Sequence, residues 1–149
     1  MENEKTIEVL NTLVQINNDR IEGYETASKE TEEQDLDTFF GELAKTSKNN
    51  NQQLTAEITR LGGTATEGTK TTGKFFRVWM DVKAALTNKD RKTILNSCEF
   101  GEDAMKSTYE TTLAYNTDLF STEQKTMMKE QYDLLKADHD KVKLMRDRL

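Results

Sequence analysis

The chain has 149 residues, no proline, 7 glycines and 32% charged residues. That length suits one domain with one core, and that composition suits long solvated helices better than short strands joined by turns. A net charge of -6 excludes a general nucleic-acid binder, which needs clustered Lys and Arg to neutralise phosphates. No run approaches 18 consecutive apolar residues, and the start Met-Glu-Asn-Glu-Lys lacks the basic and apolar regions of a signal peptide, so a cytoplasmic protein without membrane contact is expected. The lone Cys98 leaves no internal disulfide, and one His with one Cys cannot build a Cys/His zinc site.

Apolar residues alternating at steps of three and four mark the buried stripe of a bundle helix, and four such rows follow in chain order. The first helix, roughly 4 to 29, carries Ile7, Leu10, Val14, Asn17, Ile21, Tyr24 and Ser28. Leu10 with Leu13 defines a competing stripe, and a rotation toward it would bring Glu22 or Glu25 closer to the interior. The acidic run Glu30, Glu32, Glu33, Asp35 and Asp37 is a solvated surface, favourable at the start of the next helix.

The second helix, roughly 35 to 61, carries Leu36, Phe40, Leu43, Ser47, Asn50, Leu54, Ile58 and Leu61, and Gly62-Gly63 stops it. About 26 residues follow, in which Phe75, Phe76, Trp79 and Val82 recur at helical spacing and predict a short amphipathic helix riding on the bundle. The third helix opens near Asn88 and carries Leu95, Cys98, Glu102, Met105, Tyr109, Leu113 and Asn116, with Thr112 beside Leu113. The fourth starts at Ser121, whose spacing to Gln124 fits a capping box, and carries Met128, Tyr132, Leu135, His139, Val142, Met145 and Leu149. Two short links and one long one predict an all-α antiparallel four-helix bundle: two hairpins joined by a crossover running the bundle's length.

Each row is interrupted near its middle by polar residues: Asn17, Ser47, Asn50, Glu102 and His139. In aligned helices they converge into a buried polar layer, with His139 and Asn17 as the expected partners of Glu102 and Lys136 as a further candidate member.

Cys98-Glu99-Phe100-Gly101-Glu102 followed by Tyr109 resembles the helix of rubrerythrin-like and ferritin-like proteins that carries a ligand Glu and a Tyr, and Leu10, Leu13, Asp19, Gly23-Tyr24 and Ala27 resemble their opening helix. With Leu61-Gly62-Gly63, Arg77-Val78-Trp79-Met80, Cys98 to Asp103 and His139-Asp140, nearly the whole chain resembles an uncharacterised bacterial family of ferritin-like four-helix-bundle proteins.

A ferritin-like di-iron centre takes a Glu from each of two helices and Glu-x-x-His from the other two. By that resemblance Glu102 and His139 are the metal candidates, whereas Asn17, the Ser47 and Asn50 pair and Lys136 stand where the remaining ligands should be. The expectation is therefore a non-catalytic bundle without a resident cofactor, acting through its surface as a binding or stress-associated protein with a degenerate metal site. A protein partner or a second copy would meet that surface. The alternative is a metal-binding protein with iron-dependent oxidase or storage activity.

Overall fold

In the computed structural model the chain is all-helical, and residues 2–67, 84 and 91–149 are described. Among the described residues four long helices, α1 (Glu2–Glu30), α2 (Gln34–Arg60), α3 (Arg91–Tyr115) and α4 (Thr122–Asp147), form two hairpins with brief links, the second link containing a 3-10 turn at Thr117–Leu119. No strand occurs among the described residues, in agreement with the expected fold class. The amphipathic segment at Phe75, Phe76, Trp79 and Val82, the Asn88 start and the Arg77 to Met80 motif lie outside them.

Cross-helix contacts fix the directions. Asn50 donates to Asn17 at 3.4 Å and Arg20 to Ser47 at 2.9 Å, so α1 and α2 are antiparallel. Tyr109 donates to Gln131 at 2.8 Å and His139 lies against Asp103, so α3 and α4 are antiparallel as well. Asn17 meets Tyr109 while Tyr24 meets Glu102, which sets α1 antiparallel to α3. Consequently α1 and α4 run one way and α2 and α3 the other. Arg91 pairs with Glu33 at 3.3 Å and Asp35 at 2.6 Å, placing the first turn of α3 beside the first turn of α2. The first turn of α3 therefore lies at the far end of α2 from Arg60, about 40 Å away at 1.5 Å per residue. The Arg91 pairing gives the acidic run a structural partner and, through its hydrogen bond, holds the Asp35 carboxyl below its ordinary range.

Helix ends follow their local chemistry. Ser121 Oγ accepts from the Gln124 backbone and Gln124 Oε1 from the Ser121 backbone, completing the capping box. After α2, Gly62 has φ 90, with Gly62 N donating to the Thr59 carbonyl and Gly63 N to that of Ile58, the paired bonds of a Schellman stop. Gly63 also lets α1 approach, because a Cβ there would sit 2.8 Å from the Ile7 side chain.

The buried residues of α2 are the expected row, Leu36 through Ile58, widened by Phe39 and Ala44. In α1 the competing stripe prevails: Thr6, Leu10, Leu13, Asn17, Arg20, Tyr24 and Ala27 are buried, while Ile7, Ile21 and Ser28 are only partly so. In α4 the seam is Gln124, Met128, Gln131, Leu135, Asp138 and Val142, with Tyr132 at its flank. No described helix is long and apolar enough to cross a membrane.

Two glycines make opposite predictions. Gly41 lies in α2 with open space around its Cα, so Gly41→Ala should raise stability by about 0.5–1 kcal/mol. Gly62→Ala must hold a Cβ at positive φ and should lower it by about 1–2 kcal/mol, both readable from urea midpoints at constant slope.

Candidate functional site

The apolar core is divided in two. One part gathers Tyr24, Leu36, Phe40, Leu43, Leu95, Cys98 and Val142, and the other Leu10, Leu13, Leu54, Ile58, Met105, Met128 and Leu135. Between them lies a charged layer centred on Arg20, which is fully buried.

Arg20 reaches the seam because Leu10, Leu13, Asn17 and Tyr24 face the same way, three and four residues apart. Its Nε donates to Glu102 Oε1 at 2.8 Å and its Nη2 to Glu102 Oε2 at 3.1 Å, a two-pronged pairing of planar groups. Nη2 also donates to Asp138 Oδ2 at 3.0 Å, and Nη1 to the Leu43 carbonyl at 2.7 Å and Ser47 Oγ at 2.9 Å. All five guanidinium N–H groups thus have acceptors, drawn from α2, α3 and α4. Tyr24 donates to Glu102 Oε1 at 2.6 Å, and its ring lies 5.2 Å from the guanidinium carbon. Desolvation works against the Arg20 charge, and Glu102, Tyr24 and Asp138 override it, so its pKa rises above the usual arginine range.

A second, uncharged layer lies one turn away. Asn17 donates to the Tyr109 hydroxyl at 2.9 Å, Tyr109 donates to Gln131 Oε1, and Gln131 donates to the Asn50 carbonyl at 3.4 Å and Gln53 at 3.0 Å. Burial pushes the Tyr109 and Tyr24 phenols up, beyond any physiological titration.

Four of the five expected polar residues therefore lie in two adjacent layers: Ser47 and Glu102 with Arg20, Asn17 and Asn50 with Tyr109 and Gln131. The partner of Glu102 is Arg20, in place of the expected Asn17 and His139. His139 is buried but faces outward, its Nε2 2.7 Å from Asp103 Oδ1 and 3.9 Å from Glu99 Oε1. Lys136, Glu22 and Glu25 are exposed and add nothing to the interior. Sequence periodicity missed Arg20, Gln131 and Asp138; the signal that finds Arg20 is the Leu10–Leu13 stripe carried forward by threes and fours, together with the demand of Glu102 for a cation, and Gln131 and Asp138 fall on the Met128, Leu135 and Val142 stripe of α4.

A di-iron centre does not fit this interior. Both oxygens of Glu102 and Oδ2 of Asp138 accept hydrogen bonds from a guanidinium, and Asn17, Ser47, Asn50 and Gln131 add no further anionic charge to hold a pair of divalent ions. Among the described residues the acidic and imidazole groups that do converge are Glu99, Asp103 and His139, at the outer edge of the α3–α4 pair.

Cutting the central pair on one side strands the other charge, so Arg20→Met and Glu102→Leu should each cost about 3–5 kcal/mol. The double variant should be less destabilised than the sum of the two, which a double-mutant cycle by urea denaturation reads directly. Burial first, then the Glu102 charge, pushes the Cys98 thiol up, and the side chain is fully covered. Cys98 should accordingly react with a thiol reagent at pH 8 only at the rate of unfolding, and at once in denaturant.

A comparison with curated proteins gives no match. The family model described as Domain of unknown function (DUF2383) matches residues 5–115, which covers α1, α2, the crossover and α3 with Arg20, Tyr24, Ser47 and Glu102. The chain belongs to that family of unknown function.

Proposed function

We propose that this protein is a non-catalytic, ferritin-like bundle in which a guanidinium stands where a ferritin-like protein would hold its metals, and that it acts through its surface as a binding or stress-associated protein. The observation that carries this is the saturation of Arg20 by Glu102, Asp138, Ser47 and the Leu43 carbonyl. A fixed organic cation supplies the positive charge that inward carboxylates require, without a vacant coordination position, a redox couple or access for dioxygen. The direction of the helices and the single long crossover support the ferritin-like part of the reading. The alternative, an iron-dependent oxidase or store, needs six inward donors that the central positions do not provide.

The test is aerobic addition of Fe2+ to the purified chain, followed by absorbance of the ferric product. Oxidation should proceed no faster than in buffer containing an inert protein of equal concentration. Catalysed oxidation by the wild-type chain would overturn the proposal.

A further inference from the structure

His139 is the only histidine in the chain, and its side chain is 10% exposed. Its Nδ1 lies 3.2 Å from Asp140 Oδ1. In the tautomer with its proton on Nδ1, shared with that carboxylate, Nε2 carries a lone pair, the arrangement in which an imidazole ligates a metal. That Nε2 is buried and, among the described residues, makes no hydrogen bond, its close neighbour being Asp103 Oδ1 at 2.7 Å. A buried ring nitrogen left in this state is costly unless something completes it.

What it faces is two carboxylates. Glu99 and Asp103 stand four residues apart on α3 and so share a face. Their oxygens and Nε2 all lie within 4.8 Å of one another. Nitrogen and oxygen ligands at about 2.0–2.2 Å in tetrahedral geometry are about 3.3–3.6 Å from each other. The observed 2.7 Å to Asp103 and 3.9 Å to Glu99 bracket that separation, so small side-chain adjustments complete the fit. Glu99 is anchored through its other oxygen by Arg146, which leaves Oε1 turned to His139 and steadies the carboxylate. Asp103 is more than half exposed, which keeps one side open to water.

We propose that Glu99, Asp103 and His139 form a binding site for one first-row divalent cation of the zinc type, with Asp140 and Arg146 orienting its ligands. One imidazole and two carboxylates favour Zn2+, and its first-row neighbours, over Mg2+ and Ca2+, which take oxygen sets. The site lies apart from the Arg20 layer and requires neither iron chemistry nor a change in the core.

Titration of the full chain with Zn2+, followed by calorimetry and by the NMR signals of the single imidazole, tests this. One Zn2+ should bind per chain, shift the His139 resonances and raise the thermal midpoint, with Mg2+ doing none of these. Asp103→Asn, at an exposed position that leaves packing untouched, and His139→Gln should each weaken binding at least tenfold, while Glu22→Gln on α1 leaves it unchanged. Absence of binding to the wild type, or affinity that survives Asp103→Asn and His139→Gln, would overturn the site.

Discussion

The interior is organised by one buried guanidinium. A charge taken out of water is tolerated only when its partners are close and every donor is satisfied, and Arg20 meets both conditions through acceptors on the three other helices. That makes the layer a constraint on geometry more than a source of stability. A slip of α1 by one turn against α3 would carry the five donors about 5.4 Å from Glu102 and strand both charges, whereas leucines sliding past leucines lose comparatively little. Apolar packing on either side supplies the burial; the charged layer selects the register in which that burial occurs.

The neighbouring positions are shaped by the same demand. Ser47 occupies a seam position that a larger residue would fill, and there it both leaves space and offers an acceptor. Tyr24 closes the layer toward the aromatic half of the core, its ring stacked on Phe40 at 5.8 Å and its hydroxyl on Glu102. The Asn17–Tyr109–Gln131 chain then carries polarity one turn further without adding charge, so that the core passes from ionic to apolar in two steps.

The four helices, the stop of α2, the start of α4 and the α2 stripe were legible in the sequence because the local signals agree. Gly62-Gly63 and the Ser121–Gln124 pair each satisfy backbone groups in a way few other residues can. On α2 the polar seam residues Ser47 and Asn50 have no more apolar neighbour to compete with them. Elsewhere they do: Arg20 precedes Ile21, Gln131 precedes Tyr132, and Asp138 precedes His139. Assigning the less hydrophilic member of each pair to the interior turns the helix face by about 100°, and it misplaces the residues that carry the polar network. Hydrophobicity alone cannot resolve such pairs, since an arginine belongs inside only when a carboxylate on another helix requires it. The crossover segment at Phe75, Phe76 and Trp79 lies beyond the described residues.

The position of His139 follows from the same one-residue offset. With Asp138 turned inward to Arg20 at 3.0 Å, the next residue must point about 100° away, toward the edge where α4 meets Glu99 and Asp103. On α3 the matching offset separates Glu102, which faces the core, from Asp103, which faces the edge. Two adjacent pairs, Glu102-Asp103 and Asp138-His139, thus serve two environments at once. Their inner members share a fixed cation supplied by the chain itself, and their outer members present two unlike donors to the solvent side. A charge bound at the edge would be separated from the guanidinium by the helix pair, and the carboxylates of each pair would screen one from the other, so the inner layer can hold register while the outer edge exchanges its occupant.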